Sequence, residues 1–180
     1  MMKNPDITRE NRVVLFTDVH NCSIAFNTLA ERSYSFLQEM YEGLGDIIVE
    51  HKGEIVKYMG DAMLCVFPAG SENEVVACCL KLRKAFSDLM SGRGLPGDIE
   101  LEIGIGSGEV VMGMFGHRSL MQKDVFGEEV NRAATIGHHR GIAVTERVRD
   151  KVKRKYGTRR LPDFRVKWQR EPLKVWEIVE

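Results

Sequence analysis

Asp18 closes the apolar, β-branched run Val13-Val14-Leu15-Phe16-Thr17, and Asp61 stands on the Gly60-Asp61 turn between two further apolar runs. A carboxylate at a strand end and one at a hairpin tip can converge above a sheet, where they repel unless a cation lies between them. Oxygen ligands of this kind suit Mg²⁺ or Mn²⁺, which keep few protein ligands and leave positions open for substrate phosphates. Asn21-Cys22-Ser23, between Asp18 and a following helix, would present backbone N–H groups at a helix N-terminus, a cradle for phosphate. The same residues also have plain structural readings, Asp18 as a helix cap and Asp61 as a turn former. Spacing alone does not choose between the two. His20 adjoins the cluster but reads as a loop residue, since Mg²⁺ prefers oxygen. His51, His117, His138 and His139 form no metal-binding pattern.

The elements that would hold these residues follow from periodicity. Val13–Thr17 reads as a strand buried on both faces. Ser23 offers an N-cap, and Leu37, Met40, Tyr41, Leu44 and Ile48 recur at helical spacing up to Lys52-Gly53, which predicts one long amphipathic helix with a C′ glycine. Glu54–Met59 and Ala62–Phe67 predict a hairpin with a two-residue turn that displays Asp61. A second helix is expected from about Glu72 to Met90, its stripe of Val75, Cys78, Cys79, Leu82, Phe86 and Leu89 facing the core. Ile99–Ile105 and Glu109–Phe115, separated by Gly106-Ser107-Gly108, predict a second hairpin. A short strand through Val125-Phe126, a helix opened by Gly127-Glu128-Glu129, a strand near Ile142–Val144 and a terminal pair ending at Val175–Ile178 complete the chain. Helices and strands alternate without repeat or linker, so residues 1–180 are expected to form a single α/β domain.

Composition bounds the function. With 180 residues, 43% hydrophobic and 29% charged, the chain can bury a core without a metal or disulfide staple. Its 26 basic and 26 acidic side chains cancel, which argues against uniform nucleic-acid binding. The sum hides a partition: residues 1–139 carry 13 Lys/Arg against 20 Asp/Glu, and residues 140–170 carry 12 against 3. That basic block reads as solvated surface or as an anion site. An RNA-binding reading of it lacks strand aromatics for base stacking. Cys22, Cys65, Cys78 and Cys79 have no disulfide or CxxC spacing, and no signal peptide or eighteen-residue apolar run is present. A cytoplasmic protein without a membrane span is expected.

Four segments together carry a resemblance. Phe16-Thr17-Asp18-Val19, Lys57-Tyr58-Met59-Gly60-Asp61-Ala62, Gly104-Ile105-Gly106-Ser107-Gly108 and Asp124-Val125-Phe126-Gly127-Glu128-Glu129-Val130-Asn131-Arg132-Ala133-Ala134 resemble, in order and spacing, the class III adenylate/guanylate cyclase catalytic domain. The resemblance implies a ferredoxin-like βαββαβ core with extra strands, an α+β arrangement, assembled as a head-to-tail homodimer with active sites between the subunits. It implies that Asp18, Asp61 and the backbone near Val19 hold two Mg²⁺ or Mn²⁺ ions, and that ATP is converted to 3′,5′-cyclic AMP and pyrophosphate. Two-metal chemistry of this kind works by positioning and charge neutralisation. Lys57 and Asp124 match the base-reading positions. Lysine only donates and an ionised aspartate only accepts, which suits adenine's ring nitrogen and amino group and mismatches guanine. Asn131 matches the residue that orients the ribose from the partner subunit, and Lys167, on a looser alignment, the triphosphate lysine, with Arg170 or Lys174 as alternatives.

The departure from the family pattern is at Thr135, where an arginine normally stabilises the transferring phosphate one helical turn after the asparagine. Losing one such donor costs on the order of 10²–10³ in rate. Arg132 points about 100° away on the helix and is a poor substitute. Arg140 follows an irregular stretch and is the candidate replacement. The alternatives are a slow enzyme, or a degenerate domain that binds nucleotide or dimerises without cyclising it. The loop Asn21-Cys22-Ser23 also departs from the family's commoner Gly-Phe-Thr.

Overall fold

The computed structural model describes residues 7–166 and 171–179. The apolar run at Val13 lies inside β1 (Thr8–His20), and its lack of alternation has a direct cause. Val13 and Leu15 pack into one core cluster while Val14 and Phe16 pack into another on the opposite face, so both sides of the strand are buried.

From β1 the chain enters α1 (Cys22–Leu29), a 3-10 turn at Ala30–Arg32, and α2 (Ser33–Glu50). It then forms β2 (Glu54–Met59), β3 (Ala62–Pro68), α3 (Glu72–Gly92) and β4 (Glu100–His117). The remainder is β5 (Leu120–Phe126), α4 (Glu128–Ile136), β6 (Ile142–Thr145), α5 (Glu146–Val152), β7 (Gly157–Arg160) and β8 (Val175–Val179). The eight strands form one sheet in the order β2-β3-β1-β4-β6-β8-β7, with β5 paired to β4. Its first four strands, antiparallel to one another, with the α1/α2 and α3 connections, are the expected βαββαβ core.

Three local expectations change. The predicted single helix is broken, because Ala30 takes φ 50 and the 3-10 turn redirects the chain. Asn21 rather than Ser23 precedes the first turn, in the left-handed region that asparagine tolerates. At the end of α2 the left-handed residue is Lys52 (φ 64), not Gly53. Gly53 is glycine for space: a Cβ there would lie 2.6 Å from both Ile48 and Phe67.

Gly106-Ser107-Gly108 is not a turn. β4 runs unbroken through it for 18 residues, and the real hairpin lies beyond, where His117 pairs with Leu120. Residues 104, 106 and 108 share one face of a strand, and α4 lies against that face. A Cβ on Gly104 would sit 2.1 Å from the Ala133 carbonyl oxygen, and one on Gly108 2.7 Å from Glu129 Cγ. The glycines therefore set how closely α4, which carries Asn131, approaches the sheet. Among the described residues no helix is long and apolar enough to cross a membrane. All four cysteines are free, three of them buried.

Candidate active site

The β1–β3 register brings the two aspartates together. Thr17 pairs with Met63 and Met59 with Ala62, so the Gly60-Asp61 tip reaches past the end of that ladder toward Asp18. Gly60 takes φ 67 to make the turn. Tyr41 on α2 donates its hydroxyl to the Gly60 carbonyl and packs on Tyr58 with ring centroids 4.1 Å apart, which ties the tip to the helix.

The proximity has an electrostatic consequence. Burial raises the Asp18 carboxyl above the usual carboxylate range, Asp61 raises it further, and His138 offsets part of the rise. The Cys22 thiol is pushed up to about 12, by burial first and then by Asp61, with which it hydrogen-bonds. Cys22 is thus a neutral donor beside a carboxylate. Asn21 is held by its side chain, which donates to the Asp98 carbonyl at 3.4 Å and to its carboxylate at 3.3 Å. This leaves Cys22 and Ser23 with the first N–H groups of α1, which have no partner within the helix. Val19 is buried and pairs with Leu101.

Sequence reasoning missed three residues at this point. Glu102, 4% exposed, stands directly opposite Asp18 in the β1–β4 ladder. His138 Nδ1 lies 2.9 Å from Asp18 Oδ2, and His20 Nδ1 lies 3.0 Å from Glu102 Oε1. His20 is the last residue of β1, not a loop residue. The readable signal was Glu102, a charge inside the apolar run Leu101–Ile105. Nothing local marks His138, which the bend after α4 delivers.

A second group forms where β5 folds over β2. Lys57 Nζ donates to both carboxylate oxygens of Asp124, each at 2.8 Å, and Asp124 Oδ1 also accepts from the Val125 N–H at 2.8 Å. Lys123 and Glu54 make a parallel ion pair at 2.5 Å. Tyr58, Met59, Leu120, Met121 and Phe126 on these two strands are exposed apolar side chains. No described hydrogen bond or ion pair joins this group to the carboxylate cluster.

The remaining expected residues are dispersed. Asn131 is on α4, and its carbonyl accepts a 2.7 Å bond from the Thr135 hydroxyl. Arg132 is occupied by Glu129 at 2.5 Å and Glu128 at 2.7 Å on its own helix. Arg140 lies 4.0 Å from Glu100, which Arg83 also approaches at 3.5 Å. Lys167 and Arg170 fall outside the described residues, and Lys174 pairs with Glu146 at 3.7 Å. A cavity of about 600 Å³ lined by Arg132, Thr145, Arg147 and Lys174 contains neither aspartate and neither member of the Lys57–Asp124 pair.

Residues 7–179 match the family model described as the adenylate and guanylate cyclase catalytic domain. An adenylate cyclase from Anabaena cylindrica is 31% identical over 131 residues, covering 68% of this chain and 26% of that protein. The photoactivated adenylate cyclase subunit alpha of Euglena gracilis is 29% identical, covering 78% of this chain and 15% of that protein. The chain thus spans about a quarter or less of these relatives. Among solved structures, the adenylyl cyclase CyaB from P. aeruginosa superposes with a TM-score of 0.87 at 22% identity, covering 97% of this chain and 96% of that one. The guanylyl cyclase Cya2 gives 0.82 at 23%, covering 96% and 93%. At these identities the structural likeness establishes the fold.

Proposed function

The chain belongs to the adenylate and guanylate cyclase catalytic domain family, and on that premise we propose that it is an adenylate cyclase, converting ATP to 3′,5′-cyclic AMP and pyrophosphate at the interface of a homodimer. The observation that carries the choice of purine is the Lys57–Asp124 pair: a donor on β2 and an acceptor on β5, 2.8 Å apart. Facing adenine, Lys57 donates to a ring nitrogen and Asp124 accepts from the exocyclic amino group. Guanine would set its N–H against the lysine and its carbonyl against the aspartate, leaving both unpaired, which costs a polar site heavily. The adenylate cyclases among its relatives support the same reading.

Asp18 and Asp61 fit a divalent-cation pair, because among the described residues no lysine or arginine neutralises either one and Asp61 raises the pKa of Asp18. With the backbone near Val19 they would hold Mg²⁺ or Mn²⁺, which supplies charge neutralisation and acidifies the ribose 3′-hydroxyl. In the reaction the 3′-oxygen loses its proton and forms a bond to the α-phosphorus, while the bond from that phosphorus to the oxygen bridging it to the β-phosphate breaks, releasing pyrophosphate. The first N–H groups of α1, at Cys22 and Ser23, face phosphate. Asn131, from the partner, orients the ribose by donating and accepting at once. Lys167 is assigned to the triphosphate. Free cysteines and a nucleotide substrate suit a cytoplasmic domain.

A second reading, nucleotide binding or dimerisation with little turnover, is favoured by one observation: α4 offers no free guanidinium. Thr135 occupies the usual arginine position with its hydroxyl bonded to Asn131, Arg132 is bound to two glutamates, and Arg140 lies by Glu100. Incubation with ATP or GTP and Mn²⁺, with mass spectrometry of the products, separates the readings. Cyclic AMP from ATP, abolished by Asp61→Asn, is expected. ATP bound without any cyclic product from either nucleotide would establish the second reading.

A further inference from the structure

Three carboxylates meet at the end of β1, and among the described residues no lysine or arginine lies between them. Asp18 faces Glu102 across the β1–β4 ladder, and Asp61 adds its charge from the hairpin tip. Like charges directly opposite on neighbouring strands destabilise a sheet. Glu102 is nearly inaccessible, so water does little to relieve it. The arginines near this strand end, Arg83 and Arg140, both go to Glu100. What meets the carboxylates is imidazole, His138 on Asp18 and His20 on Glu102. One ligand atom each from Asp18, Glu102 and His138 lies within 4.8 Å of the others. Ligand bonds of about 2.0–2.2 Å reach a single ion from atoms so placed with small side-chain adjustments.

We propose that Asp18, Glu102 and His138 form a further divalent-cation position, sharing Asp18 with the Asp18/Asp61 pair and taking a transition ion such as Mn²⁺ in preference to Mg²⁺. It deepens the cyclase reading and rests on that reading for the role of Asp61. Mg²⁺ holds to oxygen ligands in near-ideal octahedral geometry, whereas a site with one imidazole nitrogen and two carboxylates favours a transition ion. All three ligands come from one chain, so the position needs neither partner nor nucleotide. His20 is the outer partner that orients Glu102, as carboxylate ligands commonly require. The His138 side chain is 61% exposed, which leaves the ion open to solvent or phosphate on that side.

The test uses nucleotide-free protein and MnCl₂, with electron paramagnetic resonance reading affinity and pulsed measurements reading nitrogen coupling to the ion. Wild type is expected to bind Mn²⁺ with a nitrogen-14 modulation. His138→Ala should abolish that modulation and weaken binding at least about tenfold, and His20→Ala should weaken it by roughly 10–100-fold. Glu102→Gln, with circular dichroism to check its fold, should weaken binding while the modulation persists at high Mn²⁺. Asp61→Asn should leave the nitrogen-coupled ion in place while stopping cyclic nucleotide formation, measured separately. No nitrogen coupling in wild type, its persistence in His138→Ala, or its loss in Asp61→Asn would overturn the proposal. Nitrogen-coupled Mn²⁺ in a wild type that makes no cyclic product would sink the cyclase reading alone.

Discussion

Lys57 and Asp124 satisfy each other in the free chain, so the proposed base reading would exchange one hydrogen-bonded pair for two contacts to the purine. Exchanging their hydrogen-bonding roles is therefore the sharpest test of substrate choice. Lys57→Glu combined with Asp124→Cys should lower ATP cyclisation by roughly 10²-fold or more and shift preference toward GTP, read as the ratio of kcat/KM values. Asp18 supports a second prediction. Its folded pKa is raised, by burial and then by Asp61, so the folded chain holds the proton more tightly than the unfolded one. That contribution to stability is full below the ordinary carboxylate pKa and is lost as pH rises through the folded value. With EDTA present, Asp18→Asn should raise Tm at pH 7 and change it little at pH 3.5. With Mn²⁺ the order at pH 7 should reverse, because the wild type alone keeps both carboxylates for the ion. A thermal melt at two pH values checks both. Asp18, Asp61, Lys57 and Asp124 were legible in the sequence because each sits in a contiguous motif at a strand end or turn. Glu102 showed only as a charge inside an apolar run, and its place opposite Asp18 needed the β1–β4 pairing; His138 left no local pattern at all, since the bend after α4 brings it to Asp18.

At the scale of elements, the alternation rules recovered the hairpin of β2 and β3, the boundaries of α3 and the buried character of β1. They failed where glycine served two purposes. A turn glycine and a close-approach glycine look alike in a sequence, so Gly106 and Gly108 suggested a hairpin where β4 in fact continues under α4. Lys52 and Gly53 mislead in the same way, since the residue that takes positive φ is the lysine. The distinction predicts opposite outcomes for the same substitution. Gly104→Ala places a methyl 2.1 Å from the Ala133 carbonyl oxygen. It should cost about 3 kcal/mol by forcing α4 off the sheet, lowering Tm by about 6–12 °C. Gly43→Ala, in exposed mid-helix with nothing within 4 Å of the new methyl, should stabilise by about 0.5–1 kcal/mol through helix propensity. Equilibrium urea unfolding of the two variants separates them.

At the scale of the molecule, the basic block of residues 140–170 proves to be partly architecture. Arg149 and Arg160 place their guanidinium groups 4.4 and 4.7 Å from the ring centroid of Trp176, and Arg159 pairs with Glu177, so these charges secure the far edge of the sheet. The acidic cluster and the Lys57–Asp124 pair lie at separate places on one chain, and the exposed apolar residues of β2 and β5 flank the latter. Their separation suits the proposed shared site, in which one chain's carboxylates would face its partner's Lys57–Asp124 pair and Asn131. That arrangement predicts complementation. Asp61→Asn spoils the metal half of every site it enters, and Asn131→Ala spoils the other half. Each variant alone should be inactive, but a mixed dimer has one site built from two damaged halves and one built from two intact halves. If subunits pair at random, half of the dimers in an equimolar mixture are mixed and each carries one working site of two, so about a quarter of wild-type activity should return. Recovery near that level after mixing, measured as cyclic AMP formed per chain, would place both halves in one composite site. No recovery in a sample that size-exclusion chromatography shows to contain mixed dimers would mean that each chain's residues act within that chain, and the head-to-tail assembly would have to be abandoned.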